Sequence, residues 1–414
     1  MRLDRRRFLT TAGVGGTALL AGNLGFPRAA VAQGSGPIRI GTLSPLTGAG
    51  SVYGTILANT YRIVADDINT QGGIGGRPIQ LLVEDGQTNP DAAVRAAKKL
   101  IEVDRVNVLL GTWSSAVTLA VAPLTAAAKI PHFNVSSSSA VTTFQDDDFL
   151  YRTYTSQVLV SSIYTTAAQK LGFKSAALVL LNNPYGITLG DTFAERFQKA
   201  GGKITGRVVY NPNQASYRSE VQEALAGKPD VIVFGGYTAD GILVFKEWFQ
   251  LGLGGTWMGP GFAFNQQFIQ GIGREAAEGI IVVEAVPTLG SPALAHLTKL
   301  YRAAYKTDPE FFAAMAYDHM LVVSLAALSA KSGDGTAIRD NIRKVSNPPG
   351  KTVGTWAEAA PLVQKGEAIN YEGASGSCDF DAAGDVYTDF GIHRIKSGKW
   401  VLEQTIKAAE IKAA

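Results

Sequence analysis

Apolar, β-branched segments alternate with helical segments along the chain from residue 38, at intervals of about 25–35 residues. The predicted strands are 38–43, 79–84, 106–110, 132–135, 176–181, 203–210, 231–234 and 280–286. The predicted helices between them are 54–69, 91–102, 158–171, 190–200, 217–226 and 241–251. Nearly continuous apolar strands joined by crossover helices indicate parallel sheets that are covered on both faces. Eight strands in 414 residues favour an α/β protein with two Rossmann-like lobes over a protein with one sheet.

The segment after residue 286 departs from this alternation. Helices are predicted in direct succession at 292–305, 311–331 and 337–344. Residues 354–376 are predicted to be less regular, and residues 377–401 to form short strands. The last third of the chain is therefore expected to complete the lobes and not to repeat them.

Residues 1–32 have the organisation of an export signal. Arg5, Arg6 and Arg7 precede a short apolar segment that glycines interrupt, and small residues stand at Ala30 and Ala32. The arginines and the following Phe–Leu pair resemble the twin-arginine export motif, from which Asp4 and Thr10 depart, so ordinary secretion is the alternative route. The sequence therefore predicts a periplasmic protein whose signal peptide is removed near Ala32.

Charge and cysteine content exclude several functions. Five of the 38 basic residues but only one of the 35 acidic residues lie in residues 1–32, so the remaining chain is nearly neutral. A neutral chain without Lys/Arg runs offers no electrostatic basis for binding nucleic acid. Cys378 is the only cysteine, which rules out a disulfide within the chain, and it is expected to be buried as a small apolar residue.

Signals of catalysis and of cofactor binding are absent from the sequence. No metal-ligand spacing is formed by the four histidines, His132, His296, His319 and His393. Ser114 and Ser115 lack the G-x-S-x-G context of a nucleophile, and no dinucleotide or phosphate-binding fingerprint occurs. We therefore expect no enzyme activity, no metal and no cofactor, with His132 lying inside a strand.

Two clusters of serines follow consecutive predicted strands. Ser114 and Ser115 stand after strand 106–110, directly before a helical segment, and Ser136 and Ser138 stand after strand 132–135. Each cluster could serve only to cap a helix. However, the unpaired N–H groups at a helix start attract a carboxylate, and adjacent strand ends face one crevice. The pair of clusters therefore predicts a site that holds a small polar molecule.

Six segments lie in the order typical of one family: 40–48 (IGTLSPLTG), 67–77 (DINTQGGIGGR), 111–115 (GTWSS), 183–186 (NPYG), 235–237 (GGY) and 257–260 (WMGP). Together they resemble the branched-chain amino-acid-binding proteins of bacterial ABC transporters, which are type I periplasmic solute-binding proteins. The resemblance implies two lobes, joined by three crossing strands, that close over a ligand in the cleft between them. It assigns residues 36–153 and 286–370 to one lobe, and residues 154–285 and 371–414 to the other.

The same resemblance implies a monomer that passes its ligand to a membrane permease. A periplasmic ligand sensor and a hydrolase on a similar α/β frame are the alternatives. In the matched positions, Ser115 holds the carboxylate of the ligand, with Ser114 beside it. Ser136 and Ser138 match a backbone group and a hydroxyl that contact the amino and carboxylate groups.

Aromatic residues complete the site that the resemblance implies. Tyr53, in the loop after the first strand, matches a ring that covers the ligand side chain, and Trp113 lies near it. Tyr185 and Tyr237 match rings that reach across from the second lobe. Each ring offers flat apolar surface together with a polar group.

One position departs from the family pattern. Amino-acid binders usually have an acid after the Met–Gly–Pro segment, whereas here Gly261 follows. A buried ammonium without a carboxylate is costly. Either Asp240 or Glu284 replaces the missing acid, or the ligand lacks an ammonium. With Phe262 and Phe264 nearby, an aromatic or aliphatic carboxylate or an amide competes with an amino acid as the expected ligand.

Overall fold

The structure, a computed structural model, describes residues 36–412, so the predicted export signal at residues 1–32 lies outside it. The first sheet and its small companion contain the strands β1 (Ile38–Ser44), β2 (Ile79–Asp85), β3 (Val108–Gly111), β4 (His132–Asn134), β5 (Leu150–Arg152), β11 (Lys351–Val353) and β12 (Ile369–Tyr371). The second sheet contains β6 (Ser175–Leu181), β7 (Lys203–Tyr210), β8 (Val231–Gly235), β9 (Thr256–Pro260), β10 (Ile281–Ala285), β13 (Phe390–Lys396) and β14 (Lys399–Ile406).

The helices follow these strands in the alternating pattern as far as β10. They are α1 (Ser51–Thr70), α2 (Pro90–Lys98), α3 (Ser115–Ala127), α4 (Ser139–Thr142), α5 (Gln157–Lys170), α6 (Pro184–Lys199), α7 (Arg218–Leu225), α8 (Thr238–Gln250) and α9 (Gln266–Ile272). A π-helical turn, Lys99–Val103, extends α2. The helices after β10 are α10 (Pro292–Tyr305), α11 (Phe311–Ala330), α12 (Gly335–Ser346), α13 (Trp356–Gln364) and α14 (Ala408–Lys412).

The first sheet is parallel and has the strand order β2-β1-β3-β4-β5. From β1 the chain goes to β2 on one side and then to β3 on the other. The chain leaves β1 towards β2 on one side and leaves β3 towards β4 on the other side, so a crevice opens between the carboxyl ends of β1 and β3. The segments after β1 and β3 border that crevice.

The second sheet has the order β14-β13-β10-β9-β8-β6-β7. Strands β6 to β10 are parallel, whereas β13 and β14 form an antiparallel hairpin at the edge next to β10. Its strand order reverses between β6 and β8, so the second crevice lies after those strands. Two α/β sheets of this kind agree with the predicted fold class.

Helix α11 belongs to the core of the molecule. It is apolar and 20 residues long, and 94% of its most apolar window is buried in the structure. It packs against α1, α12 and α13. Its buried Asp318 accepts hydrogen bonds from the Tyr371 hydroxyl at 2.7 Å and from Ala374 N at 2.7 Å, which ties the helix to the chain after β12. The lobe boundaries stated above remain a prediction.

Several elements differ from the sequence expectations, among them β5, β9 and α13. Strand β5 is only three residues long, and β9 contains Gly259 and Pro260, so neither has the β-branched run that predicts a strand. Residues 354–376 contain helix α13, which begins with a complete capping box formed by Thr355 and Glu358. The spacing Thr-x-x-Glu was therefore a readable helix signal in a segment predicted to be less regular.

Candidate ligand-binding site

The first serine cluster lies at the start of α3, after the switch-point strand β3. Ser114 is the N-cap residue, but its side chain makes no capping hydrogen bond. Its Oγ instead accepts a hydrogen bond from the Tyr237 hydroxyl at 3.3 Å. The alternative that the Ser114 hydroxyl only caps the helix is therefore wrong. Ser115 is the first residue of the helix, where backbone N–H groups have no partner within the helix.

The second cluster follows β4, the neighbour of β3. Ser138 N donates to Ser115 Oγ at 3.2 Å, so the two clusters touch. The Ser136 hydroxyl donates to Asn134 Oδ1 at 2.7 Å. Ser138 Oγ caps α4, accepting from Ala140 N at 3.3 Å, and also lies 3.0 Å from Thr188 Oγ1, so capping is one of the contacts of this hydroxyl and not the only one.

The Arg152 side chain holds the second cluster in place through hydrogen bonds, a role that the sequence analysis missed. The buried guanidinium donates from Nη1 to Ser138 O at 3.0 Å and from Nε to Asp385 Oδ1 at 2.9 Å. Its Nη2 also donates to Thr142 Oγ1 at 2.6 Å. A charged residue that ends an apolar segment, as in Phe-Leu-Tyr-Arg, was the available sequence signal.

Rings from the second sheet face the serines. Tyr185 lies in the first turn of α6 because the Asn183 side chain caps that helix, accepting from Gly186 N at 2.8 Å. Tyr237 is the N-cap residue of α8. The two tyrosine rings lie parallel with centroids 6.3 Å apart, and Tyr237 approaches the Trp113 ring to 4.7 Å. Both tyrosines thus follow the strands that flank the second switch point.

Tyr53 lies in the first turn of α1, whereas the sequence analysis placed it in a loop. The helix begins earlier than expected, at Ser51, after a turn in which Gly48 has a φ of 80° and Ser51 N donates to Gly48 O at 3.1 Å. Its hydroxyl donates to Phe262 O at 2.8 Å and accepts from Asn265 Nδ2 at 2.6 Å. Its ring stacks on Trp113 at 5.3 Å. Tyr53 therefore links the first sheet to the segment after β9.

Five of the eight predicted residues line a cavity of about 20 Å³, whereas Tyr53, Ser114 and Ser138 do not. Its walls contain the predicted residues Trp113, Ser115, Ser136, Tyr185 and Tyr237, together with Val135, Ser137, Tyr154, Phe262 and Phe312. A cavity of this size holds about one water molecule. Since an amino-acid-sized molecule needs more room, the two sides must separate to admit one. Phe312 was missed because it lies on a helix some 200 residues away from the serines in sequence.

An acidic side chain lies beside Gly261. A Cβ placed on Gly261 would come within 2.7 Å of Glu284 Oε2 and 2.4 Å of the Trp400 ring. Glu284 is buried at the end of β10, and its Oε1 accepts from the Tyr154 hydroxyl at 3.1 Å and from Ala285 N at 2.9 Å. Burial raises the pKa of the Glu284 carboxyl to about 7.

The other candidate acid, Asp240, points elsewhere. It lies in the first turn of α8, where its Oδ1 accepts from the Tyr217 hydroxyl at 2.9 Å and from Asn213 N at 3.4 Å. Both partners belong to the segment after β7. Asp240 lines neither the small cavity nor the adjoining cavity of about 430 Å³ whose walls include Glu284.

The histidine closest in sequence to the serines is held inside the first sheet. His132 lies inside β4 as predicted, bonded through Nε2 to Thr112 Oγ1 at 2.8 Å, and burial lowers its pKa to about 3. Among residues 36–412, no group of three or more His, Cys, Asp or Glu could hold a metal ion. The arrangement offers hydrogen bonds, rings and one carboxylate, which suit binding.

Two α/β sheets whose switch points share one cavity define a protein that binds a small molecule between two halves. Residues 37–388 match the family described as Periplasmic binding protein, and the chain belongs to that family. This agrees with the resemblance found in the sequence.

Individual relatives cover most of the chain. The chemotactic signal transduction system substrate-binding protein BasB of Halobacterium salinarum is 26% identical over 374 residues, which is 87% of each chain. The leucine-binding protein LivK of Thermotoga maritima has a TM-score of 0.77 at 23% identity, covering 89% of this chain and 99% of its own. A solute-binding protein of R. palustris in complex with benzoate has a TM-score of 0.74 at 21% identity, covering 89% and 96%.

Proposed function

We propose that this protein is the solute-binding component of an ABC importer. It is exported to the periplasm, captures a small amino-acid-like, carboxylate or amide ligand as a monomer, and delivers it to a membrane permease. The ligand leaves chemically unchanged.

The observation that carries this proposal is the meeting of the two switch points. One cavity is lined from the first sheet by Ser115 and Ser136, after β3 and β4, and from the second sheet by Tyr185 and Tyr237, after β6 and β8. Hydrogen bonds from Tyr237 to Ser114 and from Tyr53 to Phe262 O join the two sides directly. A ligand held by both sides favours the closed arrangement, because closure depends on contacts that only the closed form makes.

The eight predicted residues divide this work. Ser115, Ser136 and Ser138, with the start of α3, hold the ligand carboxylate or amide, and Ser114 orients Tyr237. Tyr53, Trp113, Tyr185 and Tyr237 enclose the body of the ligand. LivK is named for leucine and the R. palustris neighbour holds benzoate, so both ligand types belong in a screen.

Small-angle scattering tests the closure. The chain without its signal is measured alone and with each compound that raises its melting temperature, starting from leucine and benzoate. At a hundredfold over its dissociation constant a ligand adds about 2.7 kcal/mol to stability, which a melting curve resolves. We expect a smaller radius of gyration with a bound compound, and recovery of that compound unchanged. An unchanged radius, or chemical turnover, would contradict the proposal.

A sensor is the second candidate function, because the relative BasB is named for chemotactic signal transduction. The importer component and the sensor are distinguished by measuring how cells that lack this chain take up the bound compound. Lost uptake supports the importer. Normal uptake with a lost response to the compound supports the sensor.

A further inference from the structure

A separate cavity lies beside the last helix and shares no wall residue with the two cavities at the cleft. It has a volume of about 180 Å³, and its walls are Ser377, Asp379, Tyr387 and the first residues of α14, Ala408 and Ala409. Within residues 36–412, Ser377 Oγ and Asp379 Oδ1 are buried without a hydrogen-bond partner. Because native proteins rarely leave buried acceptors unpaired, these two oxygens require an explanation.

The chain beside this cavity folds back on itself after β12. Glu372 and Ser377 pair as an antiparallel bridge, and Gly373 N donates to Gly376 O at 2.9 Å across the turn between them. Side chains that lie directly opposite each other in an antiparallel pair point to the same side. The Glu372 carboxylate and the Ser377 hydroxyl therefore lie on one side of this turn.

Tyr371 and Gly373 face the opposite side, towards helix α11. The Tyr371 hydroxyl donates to Asp318 Oδ1 at 2.7 Å, and a Cβ placed on Gly373 would come within 2.5 Å of Asp318 Oδ2. Because side chains alternate along a strand, Asn370 and Glu372 project away from α11. Asn370 Nδ2 donates to Glu372 Oε1 at 3.2 Å, in agreement with this arrangement. Asn370 Oδ1 is a third buried oxygen without a partner among the described residues.

Two carboxyl groups lie close together at this turn. Burial and the charge of Asp379 raise the pKa of the Glu372 carboxyl, whereas the hydrogen bond from Asn370 lowers it. The ion pairs formed among residues 36–412 include neither Glu372 nor Asp379. A bound cation would relieve the repulsion between the two acids and would also give the unpaired oxygens a partner.

We propose that Asn370, Glu372, Ser377 and Asp379 bind a calcium ion through their side-chain oxygens. Two carboxylates, an amide and a hydroxyl suit Ca²⁺, which accepts oxygen ligands in a flexible arrangement, whereas Mg²⁺ requires nearly octahedral geometry. The set contains none of the nitrogen or sulfur ligands that zinc prefers. The sequence did not indicate this site, because its ligands come from both arms of a turn and include only two acids. The ion would join the two arms at a distance from the cleft.

Calcium binding is measured on the chain without its signal, after treatment with EDTA. Calorimetry and melting curves follow the addition of CaCl₂, with MgCl₂ and with NaCl of equal ionic strength as comparisons. Since only two ligands are charged, we expect a dissociation constant of about 0.1–1 mM and a saturable rise in melting temperature with calcium. The absence of a saturable effect of calcium, or equal affinity for magnesium, would overturn the proposal.

Variants at two of the ligands locate the ion. Asp379→Asn removes a charged ligand and should weaken calcium binding at least about tenfold. In EDTA its melting temperature should equal or exceed that of the wild type, because the repulsion of Glu372 is removed. Ser377→Ala should weaken calcium binding by a smaller factor. The control is Glu367→Gln, an exposed acid before β12, which should bind calcium as the wild type does.

Two outcomes with these variants would overturn the proposal. One is an unchanged response to calcium in Asp379→Asn and in Ser377→Ala. The other is a melting temperature of Asp379→Asn well below that of the wild type in EDTA, which would assign the carboxylate to the fold. Neither outcome bears on the proposed function, because the cleft and its ligand take no part in these measurements.

Discussion

The two sides of the site present different chemical groups. The side after β3 and β4 consists of serine hydroxyls, a helix start and backbone groups, and the Arg152 side chain holds it in place. The side after β6, β8 and β9 consists of aromatic rings, with Glu284 behind them. The first side presents polar groups in a fixed geometry. The second side presents the apolar surface of the rings and one ionisable group, the Glu284 carboxyl.

This difference indicates that the two sides contribute differently to ligand binding. Backbone N–H groups and serines suit an acceptor group that many ligands share, so we expect this side to orient the ligand. Aromatic rings and a buried carboxylate distinguish ligands by the shape and charge of the rest of the molecule, so we expect that side to select the ligand. The following predictions test this difference, beginning with the support of the serine side.

Arg152→Ala is expected to have the largest effect. The substitution leaves Asp385 as a buried acid without its cation and removes the donor to Ser138 O. Removing one partner of a buried ion pair costs about 3–5 kcal/mol, so the urea midpoint should fall strongly. Arg152→Met combined with Asp385→Leu should recover much of the loss, since neither charge is then buried. A single variant that unfolds at the wild-type urea concentration would show that the pair does not support the serine side.

Glu284 should make the stability of the protein depend on pH. Its pKa is raised to about 7 by burial, so the folded state keeps a proton that the unfolded state releases above its ordinary value of 4.5. The protonated Glu284 carboxyl adds its full contribution to the free energy of unfolding below pH 4.5. This contribution, about 3 kcal/mol in total, is lost as the pH rises through 7. Glu284→Gln should therefore lose less stability between pH 5 and pH 8 than the wild type, as measured by urea unfolding.

Other buried groups change the free energy of unfolding with pH by the same amount in the wild type and in Glu284→Gln. The pKa of Asp318 is raised to about 6 by burial and acts in the same direction as Glu284. The pKa of His132 is lowered to about 3 and acts in the opposite direction as the pH falls below 6.5. The difference between wild type and variant therefore isolates Glu284. Parallel stability curves would show that its carboxyl titrates normally.

Ser115→Ala and Tyr185→Ala distinguish orientation from selection, with the smallest expected effects. Ser115→Ala should weaken every carboxylate ligand by a similar factor of about 10–150, because it removes a hydrogen bond to a charged group. Tyr185→Ala removes a buried ring worth about 1.5–3 kcal/mol and should weaken bulky ligands more than small ones. Calorimetry with phenylalanine and alanine-sized compounds measures both. Ser324→Ala, a buried serine of α11 whose Oγ has no partner among the described residues, is the control.

Equal losses across ligands for Tyr185→Ala would contradict selection by the rings. A loss of stability without a loss of affinity in Ser115→Ala would assign that hydroxyl to the fold and remove it from the site.

Local patterns in the sequence predicted the strands with long β-branched runs and the helices between them, because burial on both faces imposes a nearly continuous apolar run. The same argument could not find β9, whose Gly259 and Pro260 carry no strand propensity and whose place depends on β8 and β10. Short β5 was missed for the same reason, and with it the orientation of Arg152 at its end.

The sequence by itself determined the class of fold and the chemistry of the serine clusters, since strand ends and helix starts are local and bring their own N–H groups. Only the tertiary structure decided which of the two candidate acids lies beside Gly261. Asp240 and Glu284 are both acids near strand ends in the same half of the chain, and nothing local distinguishes them. The pairing of β9 with β10 sets Glu284 beside Gly261, while the turn of α8 carries Asp240 towards Tyr217. Contacts between distant segments determine which acid lies there, because the space beside Gly261 is filled by a side chain from another strand.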